Sequence, residues 1–408
     1  MAALNIVKYL TPPMPNVTPD YDGLEYRWKF LTFRPAYFTN ELYFIGAAVL
    51  YLAFYFIGKK TNQRRANKWC VFSFSDPLRA LLRGPHQRLR SRPRFEAHLP
   101  LYKTQFSRPA NAEGLVSDGN SDFFAFSTGR RALASLHTTF TLRPRHDLLQ
   151  VVYQLLRGIV ELDYSVQDKV DLEFTFSEPV GREGAIPEAV WAIVSKEEMK
   201  QLRNDRWDLT FTKTTENNAL PSSLVVMSEF ADVTTTLLKP YGQFQLAQIL
   251  SRPAILPYFR SLSLTDQPRI RPPVPLQPSE RHKRLVLSLA LPSGSNAAVT
   301  LPLVAAAFQL VDIVAGEGKL PGVRGGLNAT LRPETRTKLR KAREEVEKEI
   351  RDDAQREKKE EAEEEKAAAR KKARDERVSK LSATEQQKVR EREKKRLLRK
   401  SQAKVKAR

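Results

Sequence analysis

Leu42–Gly58 reads LYFIGAAVLYLAFYFIG, a run of 17 residues without a formal charge. With Tyr37, Phe38, Thr39 and Asn40 ahead of it, the segment reaches the roughly 20 residues that a helix needs to cross a bilayer core. The reading is one membrane-spanning helix over residues 38–58. The opening MAALNIVKYLTPPMP has no apolar h-region and no small-residue cleavage site, so the span is expected to act as its own signal anchor. Residues 1–37, punctuated by Pro12, Pro13, Pro15 and Pro19 and carrying Tyr21, Tyr26 and Trp28, form a segment too short to fold alone. Its aromatic side chains suit a membrane interface.

Charge beside the span sets the expected orientation. Lys59, Lys60, Arg64, Arg65 and Lys68 follow it, whereas Arg27, Lys29 and Arg34 precede it among Asp22, Glu25 and Glu41. The excess of basic residues on the C-terminal side favours that side in the cytosol and a lumenal residue 1–37 segment. In that topology the Asn16-Val17-Thr18 sequon faces the lumen, where Asn16 is a glycosylation candidate weakened by Pro19.

Beyond the span, residues 59–94 read as a basic juxtamembrane helix and linker: Trp69, Phe72, Phe74, Leu78, Leu81 and Leu82 lie among cations, and RGPHQRLRSRPRF (Arg83–Phe95) carries helix breakers. Residues 95–327 are long enough for one domain with a sizeable core. Phe123–Leu142 predicts a strand pair turned at Thr128-Gly129, and His146–Val160 an amphipathic helix with Leu148, Leu149, Val152, Leu155, Leu156 and Ile159 at helical intervals. KVDLEFTF (Lys169–Phe176) alternates with period two and predicts a strand. Ala189–Val194 predicts a short strand leading into a charged helix over Lys196–Arg206, opened by the capping pattern Ser195-Lys196-Glu197-Glu198. Ser222–Leu238 fits helix or strand, Gln243–Leu250 a helix, Arg284–Leu291 a strand, and Leu301–Val314 an apolar helix stopped by Gly316 and Gly318. The Pro-rich RIRPPVPLQP (Arg269–Pro278) reads as an exposed loop. Helices and strands in irregular succession indicate an α+β domain, expected in the cytosol.

Residues 328–408 read as a long charged helical tail starting near Arg332-Pro333-Glu334, with Pro suited to a first turn and Glu to the helix dipole. Of the formal net charge of +21, Glu334–Arg408 supplies +10, from 28 basic and 18 acidic residues. The two halves differ: Glu334–Glu365 has 10 basic and 13 acidic residues, and Lys366–Arg408 has 18 and 5. Apolar Leu339, Ala342, Val346, Ile350 and Ala354 sit three or four apart, so the first turns can dock on a neighbour. The later seam, mostly alanine, is too thin for a stable coiled-coil dimer. An excess of 13 positive charges in the last 43 residues favours a polyanion through counterion release. Arg370, Lys371, Lys372, Arg374, Arg390, Arg392, Lys394, Lys395, Arg396, Arg399 and Lys400 are the candidate contacts, and both RNA and anionic lipid fit them.

No enzymatic chemistry is visible. The Val314–Val323 stretch VAGEGKLPGV meets neither the P-loop nor the dinucleotide spacing, and reads as a helix end and turn. The five histidines lack metal-ligand spacing, no nucleophile elbow surrounds Ser293 or Ser295, and the single cysteine, Cys70, permits no intrachain disulfide. No cofactor, metal or catalytic residue is expected.

Four stretches together resemble one family. FIGKKTNQRRANKW (Phe56–Trp69), RRALASLHTTFTLRPRHDLLQVVYQLL (Arg130–Leu156), LPSSLVVMSEFADVTTTLL (Leu220–Leu238) and EREKKRLLRKSQAKVKAR (Glu391–Arg408) occur in the order found in the calumin family. This family is the coiled-coil subunit of the PAT complex, part of the multipass translocon of the endoplasmic reticulum. The resemblance implies a single-pass membrane protein that assists insertion and folding of multi-pass membrane proteins. It further implies a small Asterix-like membrane partner, the Sec61 channel and nascent membrane proteins as partners, and a tail that reaches ribosomal RNA. The animal pattern has a signal peptide and a long acidic lumenal segment that this sequence does not show, which points to a fungal or other non-animal member and puts a calcium-buffering role in doubt. The alternative from a different class is a membrane tether whose basic tail binds anionic lipid.

Overall fold

A computed structural model describes residues 23–28, 31–34, 39–70, 98–109, 115–161, 164, 166–177, 184–277, 280–317 and 325–379. They divide into two compact units, one within Met1–Arg269 and His282–Arg336, the other within Ile270–Arg281 and Thr337–Arg408.

The first unit opens with a short antiparallel ladder, β1 (Tyr26–Trp28) and β2 (Leu31–Phe33), which the segment's brevity did not predict. Helix α1 then runs unbroken over Thr39–Cys70, 12 residues beyond the end of the apolar run at Gly58. Helix α2 (Leu99–Gln105) is followed by β3 (Val116–Asp118), β4 (Asp122–Ser127), β5 (Leu133–Thr141), helix α3 (Leu148–Val160) and β6 (Lys169–Phe176). Next come β7 (Trp191–Ser195), helix α4 (Met199–Asp205), a 3₁₀ turn at Trp207–Phe211, β8 (Lys213–Thr215), β9 (Leu224–Ser228), α5 (Ala231–Leu238) and α6 (Leu246–Leu250). The unit closes with β10 (Phe259–Thr265), β11 (Arg284–Ala290), α7 (Leu301–Ala315) and α8 (Gly326–Thr330).

Nine strands form one antiparallel sheet in the order β3-β4-β5-β6-β11-β10-β7-β9-β8. The fold is therefore mixed helix and antiparallel sheet, as the irregular succession of elements predicts. The alternation in β6 is real: Val170, Leu172, Phe174 and Phe176 are buried while Asp171, Glu173 and Thr175 face the other way and stay partly open. The β7–β9 half is different, because β9 and β10 are buried along their whole length and so need cover on both faces. On one face, Val190, Ala192, Val194, Leu209 and Met227 form a cluster packed by Met199 and Leu202 of α4. On the other, the Trp191 indole donates to Thr234 of α5 at 3.2 Å.

Helix α7 is the central core helix. Leu303, Val304, Ala307, Phe308, Leu310, Val311 and Val314 are buried, and the Phe308 ring meets Phe174 edge-on at 5.2 Å and Tyr102 of α2 at 5.9 Å. Gly316 ends the helix in the left-handed region (φ 74), where a Cβ would overlap the backbone of Gly326. The turn between β4 and β5 is tied to the same helix, since Arg130 pairs with Asp312 at 2.6 Å and lies over the Phe308 ring.

Several sequence expectations are refined. The Ser222–Leu238 stretch is both structures in turn, β9 and then α5. The capping pattern at Ser195 is not used: Glu198 occupies the cap position of α4 without a side-chain cap bond and instead pairs with buried Arg260 at 2.5 Å. Burial raises the Glu198 carboxyl above its usual value against the opposing pull of Arg260 and Lys169.

Helix α9 (Pro333–Ser379) begins at the proline. Asp232 of α5 accepts from the Arg332 N–H at 3.1 Å and from the Thr335 hydroxyl at 2.8 Å, which satisfies two donors at its start. In the second unit the Pro-rich loop is not simply solvated. Arg271 pairs with Asp353 at 2.5 Å, Arg281 pairs with Glu347, and Pro272 and Pro273 line a groove with Ile350, which is buried. The predicted apolar stripe of the tail helix thus has a partner within its own chain.

Candidate membrane junction and charged tail

Among the described residues two helices are long and apolar enough to cross a membrane, over Leu42–Trp69 and Ala297–Ala315. Burial separates them. The second contains α7, enclosed by the core, whereas Leu42, Tyr43, Ile45 and Ile57 of α1 are 60–76% exposed. Large apolar side chains bare to water along about four turns are unfavourable by roughly 1.5–3 kcal/mol each relative to burial, so this part of α1 belongs in an apolar medium.

The inner half of α1 is not a flexible continuation. Tyr55, Gly58, Asn62, Arg65, Ala66 and Trp69 recur at spacings of three or four and make one docking face. The α1 backbone touches the chain ahead of α3 at Gly58, where a Cβ would overlap the Arg145 carbonyl and the His146 Cα. The Tyr55 hydroxyl accepts from Asn120 Nδ2 at 3.1 Å. Asn62 is fully buried and fully paired: Nδ2 donates to the Asn120 carbonyl (3.2 Å) and the Arg143 carbonyl (2.9 Å), and Oδ1 accepts from Arg145 Nη1 (3.0 Å). A turn later Arg65 pairs with Asp168 at 2.9 Å.

Asp168 is the hub of this junction. It accepts from the Arg143 N–H and from both terminal nitrogens of Arg145 at 2.8–2.9 Å, in addition to Arg65. Burial pushes its carboxyl up, but the hydrogen bonds from Arg145 and Arg143 and the charges of Arg145 and Arg65 outweigh this and hold it below the usual aspartate value.

Trp69 closes the junction inside the core. Its indole stacks on the His98 imidazole at 3.9 Å, meets Phe140 edge-on, and donates to the Thr300 hydroxyl at 3.0 Å. His98 Nδ1 lies 3.2 Å from the Trp69 carbonyl and Nε2 lies 3.1 Å from Thr300 Oγ1. The carbonyl can only accept, which assigns the proton of neutral His98 to Nδ1. Burial lowers the His98 pKa to about 4, the bond to the Trp69 carbonyl opposing it, so the ring is neutral at ordinary pH.

The basic residues singled out after the span therefore divide. Lys59, Lys60 and Arg64 are exposed. Arg65 is half-buried in its pair with Asp168, and the exposed Lys68 runs across Gly294, where a Cβ would meet its side chain. In the tail, Arg370 and Lys372 are exposed on α9, and Lys371 and Arg374 lie on the same helix. Arg390, Arg392, Lys394, Lys395, Arg396, Arg399, Lys400 and the sequon residue Asn16 lie outside the described residues, as do residues 71–94 of the expected juxtamembrane helix and linker. The polar docking face of α1 was missed in sequence; the signal was the helical recurrence of Gly58, Asn62, Arg65 and Ala66 past the apolar run. Among the described residues no cluster of three or more His, Cys, Asp or Glu could hold a metal ion.

An exposed apolar helix fit to cross a membrane, continuous with a buried polar junction to a nine-stranded sheet, defines the class of protein at hand, and a long charged helix follows later in the chain. The family described as PAT complex subunit CCDC47 matches residues 37–400, and the chain belongs to it. The chain is 26% identical over 241 residues to the endoplasmic reticulum membrane protein C2G5.01 of Schizosaccharomyces pombe, a UPF0674 protein, covering 58% of this chain and 56% of that one. It is 25% identical over 253 residues to the Saccharomyces cerevisiae UPF0674 endoplasmic reticulum membrane protein YNR021W, with the same shares. The chain thus spans little more than half the length of these two yeast relatives.

Proposed function

We propose that the chain is a non-enzymatic subunit of an intramembrane chaperone complex that assists insertion and folding of multi-pass membrane proteins at the endoplasmic reticulum. In this reading α1 crosses the membrane with residues 1–37 in the lumen, the sheet domain lies in the cytosol, and residues 328–408 form a charged helical extension of the chain. The basic half of that extension, Lys366–Arg408, contacts ribosomal RNA. An Asterix-like small membrane protein, the Sec61 channel and nascent multi-pass chains are the further partners. The observation that carries the reading is the continuity of α1: one helix is apolar and largely exposed over Leu42–Ile57, and its face from Tyr55 to Trp69 is locked into the sheet domain. A scaffold that positions membrane helices against a ribosome needs such a stiff joint, because a flexible linker would transmit no orientation.

Co-sedimentation of the solubilised full-length chain and a variant ending at Glu365 with ribosome-translocon fractions, across a salt series, tests the proposal. Steep salt-dependent binding that the truncation abolishes supports it. Equal binding of both forms removes the tail as the ribosome contact. The basic composition of Lys366–Arg408 also favours a second reading, a tether to anionic lipid, and binding to acidic vesicles without any ribosome association would select it.

A further inference from the structure

The apolar stripe of α3 has no cover. Leu149, Val152, Tyr153, Leu156, Ile159 and Val160 recur along one side of the helix and are 46–82% exposed, and none of its 13 residues is buried. The opposite side, with Val151, Gln154 and Gly158, is half-buried and lines a groove with Arg143, Arg145, Tyr164 and Val166. A helix of this length is too short to span a bilayer, and one without a buried residue is not a core helix.

Its position says what covers it. The chain just ahead of α3, at Arg145 and His146, is pressed against α1 at Gly58, and the His146 ring meets Tyr55 edge-on at 5.9 Å. Gly58 ends the apolar run, and the run's middle residue, Leu50, lies eight residues earlier, or about 12 Å along the helix. A hydrocarbon core is about 15 Å from midplane to edge, so Gly58 sits close to that edge and α3 starts beside it. The flank of the stripe carries the chemistry of such a boundary. Arg157 pairs with Glu161 at 3.0 Å and lies over the Tyr164 ring, and Gln150 shares that edge of the helix.

We propose that α3 is an interfacial helix whose Leu149–Val160 stripe is sunk in the lipid of the membrane that α1 crosses, so that the sheet domain meets the bilayer at two points. This rests on the reading of α1 as a membrane span. With α1 fixed at Gly58 and Trp69 and α3 lying in the interface, the sheet domain has one tilt relative to the membrane.

The test uses the full-length chain on a Cys70→Ser background, reconstituted alone in phosphatidylcholine vesicles. An environment-sensitive fluorophore is placed on Leu156→Cys, on Gln150→Cys at the polar edge, or on Val49→Cys within the span. Nitroxide-bearing acyl chains report lipid contact and iodide reports water. The expected result is lipid quenching at position 156 at least threefold stronger than at 150, with iodide in the opposite order. Iodide quenching at 156 equal to that at 150 would overturn the proposal. Shielding of 156 from both quenchers would overturn it as well, assigning the stripe to a second copy of the chain. A label at 49 outside lipid instead defeats the membrane reading of α1 itself. Should the cysteine-free background fail to fold, a photoreactive benzoylphenylalanine at Leu156 in the otherwise native chain reads the same contact, through crosslinks to lipid or to protein.

Discussion

Acidification is expected to loosen the junction through His98. The ring is buried, stacked on Trp69 and neutral in the folded chain, with a pKa lowered to about 4, whereas an unfolded histidine titrates near 6.5. The folded chain therefore binds fewer protons than the unfolded chain between those values, and stability falls as the pH drops. The contribution is fully present above pH 6.5. Linkage over the window gives a loss of about 2 kcal/mol by pH 5 and on the order of 3 kcal/mol below pH 4. Protonation leaves no unpaired donor, because Thr300 Oγ1 can accept from Nε2 while its own hydrogen turns to the Ala297 carbonyl at 3.3 Å. Desolvation of the charged ring drives the shift, and the bond to the Trp69 carbonyl opposes it. The assay is urea unfolding of the detergent-solubilised chain by tryptophan fluorescence at pH 7.5, 6, 5.5 and 5, for the native sequence and for His98→Asn. The variant starts less stable, having lost the stack on Trp69, but its stability lacks this slope. The other titrating groups are shared, so the difference between the two slopes isolates His98. A difference that stays within about 0.5 kcal/mol from pH 7.5 to 5 would refute the reasoning, since one pKa unit corresponds to about 1.4 kcal/mol.

Further expectations concern the joint, the core and the tail. Gly58→Val drives a side chain into the Arg145 backbone, so hydrogen exchange over residues 59–69 should quicken while β5 and β6 stay protected; unchanged exchange at both would remove Gly58 as the contact point. Asp168→Ala strips the carboxylate from Arg65, Arg145 and the Arg143 N–H, and because both guanidinium groups keep some exposure the loss should be about 1–3 kcal/mol, read as a lower urea midpoint. Leu310→Ala hollows the centre of α7 and should cost about 2–5 kcal/mol in the same measurement. In the ribosome assay, a tail that neutralises about five phosphates gives a logarithmic salt slope of roughly −3 to −5, and the variant ending at Glu365 should be nearly flat.

Local periodicity carried the elements that declare themselves within one segment. The alternation of Lys169–Phe176, the helical recurrence over Leu148–Ile159, the apolar run of α7 with Gly316 after it and the proline-led start of the tail helix were all legible, because each pattern is set by the geometry of its own backbone. β10 was not. FRSLSLT becomes a central strand buried along its length only because Arg260 meets Glu198 and Ser263 accepts from Arg206, partners 62 and 57 residues away. The capping pattern at Ser195 misled for the same reason, since Glu198 has a stronger partner in Arg260 than the helix start offered it.

The sequence by itself determined that the chain has a segment fit to cross a membrane, an α+β middle and a tail with its positive charge at the far end, since length, period and charge are properties of the chain read in order. The family followed from the order of four stretches. Only the tertiary structure decided that the spanning helix does not stop where its apolar residues do. Whether Gly58, Asn62, Arg65 and Trp69 are solvated or locked depends on Asn120, Arg145, Asp168, His98 and Thr300, which reach them from five separate parts of the chain. It also decided which face of α3 is left bare. An amphipathic pattern says that a helix has two faces, and what each one meets is fixed by the surfaces brought beside it.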